Sequence, residues 1–228
     1  LEVGSAVDGG VAGAGWGCQR SRSDSADAGG YRRSAQLLLG GTSGGGGKTC
    51  GSAALTSIDA IKAGIDRQWL SAAPSGHVVL VYAYYHPLRN TLETSLDPYP
   101  RGDYIMSIAA VMSDDYGKSW SDPVAVTLPQ SGHEMLHGKP TMLGDGTIIM
   151  PYVDTSNRYL DDPGVVRVAI SHDGGHQWEQ REIAQVSQNT GGLWPVEIAA
   201  DAAGKAYVAW SDRVGDDIQI KLASSSDG

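Results

Sequence analysis

The sequence predicts an all-β protein built from repeated blades of antiparallel strands, the arrangement found in β-propellers. Three segments share one pattern, in which a glycine is followed by apolar residues and, six positions later, by an aromatic residue; they span residues 76–82, 146–152 and 204–210. The glycines follow one another at steps of 70 and 58 residues. Recurrence on this scale, with a tight turn between strand-like runs, is typical of propeller blades.

Each repeat supplies the strands of one blade in the same order. The first strands precede the glycines and are predicted at residues 70–73, 141–143 and 196–199. The third strands are predicted at residues 104–112, 165–170 and 218–223. Fourth strands are predicted near residues 124–128 and 181–185. The blades are therefore expected at about 64–130, 138–190 and 193–228, with the last one incomplete.

The first 60 residues differ in composition from the rest. They are rich in glycine and serine, including Gly44 to Gly47, and such a segment buries little apolar surface. Residues 1–60 are therefore expected to be mostly irregular, with a possible strand at 35–39 and a short helix at 55–63. The blades are assigned to residues 61–228.

Composition also limits the classes of partner. The 228 residues carry a formal net charge of −9, which disfavours nucleic-acid backbones and anionic membranes as partners. No apolar run reaches the eighteen or so residues that a membrane-spanning helix needs. No signal segment is visible in this chain, which begins at Leu1.

Two turns share the pattern Ser-x-Asp-x-Gly-x-x-Trp, at residues 113–120 and 171–178, and a third begins at 225–228. The aspartate, Asp115 or Asp173, is suited to accept hydrogen bonds from backbone N–H groups across the turn. The glycine permits a positive φ, and the tryptophan packs against the neighbouring strands. These residues are expected to build the turn rather than take part in chemistry.

This pattern resembles the Asp box, or bacterial neuraminidase repeat, of sialidase-like proteins. The resemblance covers about residues 64–228 and implies a sialidase-like β-propeller with about three of an expected six blades present. It implies an exo-sialidase-like hydrolase that removes terminal sialic acid from glycoconjugates outside the cell or at its surface. Asp boxes also occur in propellers without catalytic activity, so a module that binds glycans or proteins is the alternative.

The resemblance implies a catalytic set. A sialidase holds the sialic acid carboxylate with arginines, because the guanidinium fork matches a carboxylate. The first blade of the family opens with an aromatic-Arg-Ile-Pro motif, and the matching slot here reads Asp66-Arg67-Gln68-Trp69. Arg67 therefore takes the place of the carboxylate-binding arginine, although the residues on either side of it depart from the family. The alternative is an arginine in a surface salt bridge.

The family's acid lies in the loop between strands two and three of the first blade, where Asp97 and Asp103 are candidates and Asp103 is preferred. In the third blade, Glu197 interrupts an apolar strand and Arg213 follows Trp210, a pair that suits a base and a second arginine. The alternatives are solvated carboxylates and a surface arginine. No tyrosine is assigned as the nucleophile, and neither a cofactor nor a metal is expected.

Two further motifs are set aside. Residues 133–137 read His-Glu-Met-Leu-His, the zinc-protease pattern, which requires a helix. Prolines and glycines flank this stretch, so a helix is not expected there. Residues 44–49 read Gly-Gly-Gly-Gly-Lys-Thr, but the first glycine of a phosphate-binding loop is replaced by Thr42. Neither zinc nor nucleotide binding is predicted.

Overall fold

The computed structural model describes residues 36–44, 49–58, 64–87, 104–131, 134–155, 163–187 and 196–225. Within these ranges every regular element is a β-strand, and all the pairings are antiparallel. This confirms the predicted all-β fold of blade-like sheets. In the described part of the chain, no helix has the length and apolar character needed to span a membrane.

The first two described strands, β1 (Gln36–Gly44) and β2 (Thr49–Ile58), form a two-stranded sheet. The expectation of mostly irregular structure in residues 1–60 is therefore corrected for 36–44 and 49–58. The helix predicted at 55–63 is wrong as far as Ile58, because Thr56 pairs with Leu38 across the sheet. Cross-strand pairing with the leucine-rich β1 outweighs a weak local helix preference. The remainder of residues 1–60 lies outside the described ranges.

The first blade is a sheet of β3 (Gly64–Ala72), β4 (Val78–Pro87), β5 (Tyr104–Ser113) and β6 (Val124–Ala125), in that order. A short strand, β7 (Gln130–Ser131), also pairs with β5. The hairpin between β3 and β4 turns at Gly76, which has a φ of 95°. A residue with a Cβ atom resists that conformation, which explains why glycine recurs at this point of each repeat.

The second blade has the same order, with its first strand in two pieces. Strands β8 (Glu134–His137) and β9 (Thr141–Met142) both pair with β10 (Ile148–Thr155), which is followed by β11 (Gly164–Ser171) and β12 (Glu179–Val186). The blade therefore begins before residue 138, the predicted start. Gly138 and Pro140 lie in the gap between the two pieces, and a proline cannot donate a ladder hydrogen bond.

The third blade comprises β13 (Val196–Ala200), β14 (Ala206–Val214) and β15 (Asp217–Ser225). One of its faces packs on the second blade. On the other face, apolar side chains of β15 are exposed, with relative accessibilities of 57% for Ile218, 76% for Ile220 and 66% for Leu222. Their strand positions alternate with Lys221 and Gln219, as expected for a sheet with one covered face.

Two apolar cores join the three sheets face to face. The first lies between blades one and two and includes Val81, Ile108 and Met150. The second lies between blades two and three and includes Val166, Val208 and Trp210. Strand β10 contributes to both cores, because successive side chains of a strand point to opposite faces. Blade two is therefore buried on both sides.

Candidate functional site

The blades have two distinct ends. We call the end that carries the turns at 113–120 and 171–178 the box end. The second of these turns lies against the β3–β4 turn of blade one, since a Cβ atom on Gly174 would lie 3.4 Å from Cε1 of His77. Strands β3, β8 and β13 begin at the opposite end. There the blades are also linked, because the backbone N–H of Ser187 donates to Oδ1 of Asp212 at 2.9 Å.

The first Asp box is a closed network of local hydrogen bonds. Oδ1 of Asp115 accepts from the backbone N–H groups of Lys118 and Ser119, both at 2.9 Å. The hydroxyl of Ser113 donates to the same oxygen at 2.8 Å and accepts from the N–H of Gly117 at 2.8 Å. The indole N–H of Trp120 donates to the carbonyl of Gly117 at 3.1 Å. The carboxylate therefore closes the turn, as its sequence predicts.

The second Asp box repeats this network. Oδ1 of Asp173 accepts from the N–H groups of His176 at 3.1 Å and Gln177 at 2.9 Å. The hydroxyl of Ser171 again donates to the carboxylate, at 2.9 Å. Trp178 donates to the carbonyl of Gly175 at 2.8 Å and packs against the core between blades one and two. The structural role predicted for both boxes is borne out by these contacts.

The box carboxylates make stability depend on pH. Hydrogen bonds from Ser119 hold the pKa of Asp115 well below its usual range, and the N–H of Gln177 lowers the pKa of Asp173. A group with a lowered pKa in the folded state stabilises fully above its unfolded pKa, about 4 for Asp. That contribution is lost as the pH falls through 4 toward the folded pKa.

We therefore expect Asp115→Asn and Asp173→Asn to lower the melting temperature at pH 7, with the deficit shrinking as the pH falls below about 4. Melting curves followed by circular dichroism between pH 7 and pH 2.5 measure both effects. Asp216→Asn is the matched control, since Asp216 lies in an exposed turn that is not part of a box. A deficit that stays constant over the whole pH range would contradict the role of the carboxylates.

Arg67 occupies a distorted position in the first strand of blade one. The ladder between β3 and β4 shifts register between Asp66 and Trp69, which is the signature of a β-bulge. Arg67 lies inside the bulge with a φ of 56°, a conformation that a residue other than glycine adopts at a cost of roughly 1–2 kcal/mol. Its side chain is half-buried and its Nε atom is buried. The bulge therefore places Arg67 in the half of β3 that is farther from the box end.

Glu197 and Arg213 lie on the same face of blade three without meeting. Glu197 pairs with Ala209, and Arg213 is four residues farther along β14, which corresponds to about 13 Å. Glu197 is exposed, whereas Arg213 is half-buried. Within the described residues, Nε of Arg213 is buried and has no hydrogen-bond partner. Both residues lie toward the opposite end, on the face that also exposes Ile220.

The other predicted features have different outcomes. Asp97 and Asp103 lie outside the described residues. Glu134 and His137 belong to strand β8, so this part of the zinc-protease match is not helical; His133 lies outside the described ranges. The glycine-rich stretch at 44–49 connects β1 to the antiparallel strand β2, as far as its ends are described. In the described part of the chain, no three His, Cys, Asp or Glu side chains are grouped as a metal site requires.

A charged group on blade two was not predicted from sequence. Nε of Arg167 lies 3.8 Å from Oδ2 of Asp154, and its Nη2 atom lies 3.6 Å from Oε2 of Glu182. These residues are on adjacent strands β10, β11 and β12, so only the strand register brings them together. Because two carboxylates already neighbour it, Arg167 is a poor candidate for binding an external carboxylate.

Tyr152 lies in the same region of blade two and was also not singled out by sequence. Its hydroxyl donates to Oε1 of Gln180 at 2.8 Å, and Nε2 of Gln180 donates to the carbonyl of Val126 in blade one. Burial raises the pKa of Tyr152 to about 12. A phenol with a raised pKa is a poor nucleophile. Tyr152 is therefore assigned to the contact between the two blades and not to the role of a nucleophile.

Asp212 forms a second buried link. It is fully buried, and its Oδ2 atom accepts a hydrogen bond from Nζ of Lys221 at 2.5 Å. Its other oxygen accepts from Ser187 at the end of β12. The charge of this aspartate is thus matched within the fold, which assigns it to the contact between blades two and three.

Comparison with known proteins agrees with the repeat pattern. A family model described as a BNR repeat-like domain matches residues 70–228, which include both complete boxes and all three blades except the start of β3. No curated protein matches the chain.

Proposed function

The chain belongs to the BNR repeat-like family, and on that premise we propose that it is an exo-sialidase-like glycoside hydrolase that removes terminal sialic acid from glycoconjugates. Domains of this family are found in sialidases and related glycosidases. Such substrates are displayed outside the cell, so the proposal includes an extracellular or cell-surface location and glycans as partners.

The observation that carries the proposal is the strained bulge at Arg67. Backbone strain persists only where the surrounding structure enforces it, and bulges re-aim side chains. The bulge lies in the half of β3 that is farther from the Asp boxes, and it carries Arg67 with its half-buried side chain and guanidinium. In our proposal this guanidinium binds the carboxylate of sialic acid through two parallel N–H···O hydrogen bonds.

Arg213 serves as a second carboxylate ligand in this proposal. Its buried Nε–H has no acceptor among the described residues, and an anion would satisfy it. Glu197 would act as the base that activates the nucleophile, and Asp103 would donate a proton to the leaving oxygen. Glu197 and Arg213 are separated by about 13 Å along the strands, so the proposal gives them separate roles and not that of a direct ion pair.

The proposal is tested by hydrolysis of a fluorogenic aryl sialoside, with the aryl β-galactoside of the same fluorophore as the matched control. We expect release of the fluorophore from the sialoside and none from the galactoside, which lacks a carboxylate. Glu197→Gln is expected to lower kcat by roughly 100-fold, within the range for loss of a general base. Equal release from both substrates, or none from the sialoside, would reject the proposal.

A second candidate is a propeller that binds glycans without cleaving them. It is favoured by the exposure of Glu197, because the polar groups of a catalytic site usually lie in a cleft that encloses the substrate. A printed array of sialylated and neutral glycans distinguishes the two candidates. Retention of intact sialosides, together with no fluorophore release from the aryl sialoside, would favour the binding module.

A further inference from the structure

Tyr116 has a positive φ at a position where the other two Asp boxes have glycine. It follows the aspartate of the first box and has a φ of 63°. The same position is Gly174 in the second box, with a φ of 72°, and Gly228 in the third. The turn therefore needs a left-handed residue, and only the first box uses one with a side chain, which makes its backbone strained. Retained strain of this kind points to a function.

The ring of Tyr116 is held against the β3–β4 turn. A Cβ atom on Gly76 would lie 2.6 Å from Cε2 and 2.8 Å from Cζ of the ring, so only glycine permits this contact. The hydroxyl donates to the carbonyl of Pro74 at 3.4 Å, and the backbone N–H donates to the carbonyl of Gly76 at 3.1 Å. Tyr116 nevertheless remains 42% exposed. One side of the ring is thus fixed on protein and the rest is open to solvent.

A polar pair flanks the same turn. Nδ1 of His77 and Oδ1 of Asp114 lie 2.6 Å apart, and the Asp114 side chain is 83% exposed. His77 directly follows Gly76, so the carboxylate and the Tyr116 ring contact two consecutive residues of the β3–β4 turn. The histidine orients the carboxylate while leaving its second oxygen accessible. An immobilised aromatic ring therefore lies beside an oriented hydrogen-bond acceptor.

We infer that Tyr116 and Asp114 form a binding site for a neutral pyranose of the galactose type, at the box end and separate from Arg67. Galactose has an axial 4-hydroxyl, which leaves the C–H groups of C3, C4 and C5 together on one face. Those weakly positive hydrogens are suited to an aromatic ring face, and the sugar hydroxyls can donate to the carboxylate. The exposed carboxylate of Asp114 disfavours an acidic sugar at this site.

Titration of the protein with N-acetyllactosamine, followed by saturation-transfer difference NMR, tests the site. We expect binding with a dissociation constant of about 1 mM, in keeping with one stacked ring and few hydrogen bonds. Tyr116→Gly is expected to weaken binding at least tenfold, and Tyr116→Phe, which keeps the ring, to stay within threefold of the parent. Asp114→Asn is expected to weaken binding about threefold to tenfold.

The glycine variant also controls for folding, because glycine is what the other two boxes use at this position. Its melting temperature is expected to stay within a few degrees of the parent's, since relief of strain offsets the lost ring contact. Arg67→Ala is expected to leave N-acetyllactosamine binding unchanged, which separates this site from sialoside hydrolysis. Absence of binding by the parent, or equal binding by parent and Tyr116→Gly, would overturn the inference.

Discussion

Replacement of Arg67 with alanine is expected to lower kcat/KM for an aryl sialoside by about 100-fold, or roughly 3 kcal/mol. The loss arises because the substrate carboxylate would enter the site without its fork of donors while still losing water. Arg67→Lys is expected to recover only a small part of the rate, since an ammonium group cannot make two parallel hydrogen bonds to a carboxylate. Initial rates over a range of substrate concentrations measure these effects.

The variant Arg67→Gly distinguishes a loss of substrate binding from a loss of protein stability. Glycine adopts the φ of 56° without strain, so we expect this variant to be at least as stable as Arg67→Ala in thermal melts. Its activity should be as low as that of the alanine variant. If Arg67→Gly and Arg67→Ala both retain parental kcat/KM, the arginine does not bind substrate.

Gly138→Ala is expected to destabilise the protein by about 2–3 kcal/mol, the range for overpacking a tight site. A Cβ atom on Gly138 would overlap the carbonyl oxygen of Val196 and lie 3.2 Å from Cγ of Pro151. The clash involves backbone of the first strand of blade three, which cannot rotate away as a side chain would. A fall in melting temperature of about 5–10 °C is expected.

Gly144→Ala is the matched control for that change. It places the same methyl group six residues away, where a Cβ atom would meet nothing within 4 Å. Its melting temperature should lie within about 2 °C of the parent's, or rise slightly because alanine restricts the unfolded chain. Equal melting temperatures for the two variants would mean that the blades do not approach each other closely at Gly138.

The sequence predicted the fold well wherever the signal was local. Each Asp box closes its hydrogen bonds within eight residues, so the roles of Asp115 and Asp173 can be derived from spacing alone. The strands of the blades were predicted for the same reason, from a glycine followed by an apolar run. The helix predicted at 55–63 was wrong as far as Ile58, because the partner that decides the conformation of this part, β1, lies about twenty residues away and contributes nothing to a local pattern.

The geometry of the candidate site was harder to predict from the sequence than the fold was. The position of Arg67 followed from a family motif, but the bulge and positive φ depend on how β3 pairs with β4. Likewise, the contacts of Arg167 with Asp154 and Glu182 arise from the register of three strands and leave no mark in the linear sequence. Tyr116 was visible as a departure from glycine in the aligned boxes, and its meaning emerged only with its φ and its contact with Gly76.

The central claim is that Arg67 recognises the carboxylate of a sialoside. It is tested most directly by removing the arginine and the negative charge of the substrate, separately and together. The parent and Arg67→Ala are each assayed with an aryl sialoside and with its C1 methyl ester, in which the negative charge is removed. We predict that the parent prefers the carboxylate over the ester by about 100-fold, and that the variant discriminates less than threefold. An equal preference for the carboxylate in both proteins would contradict the claim.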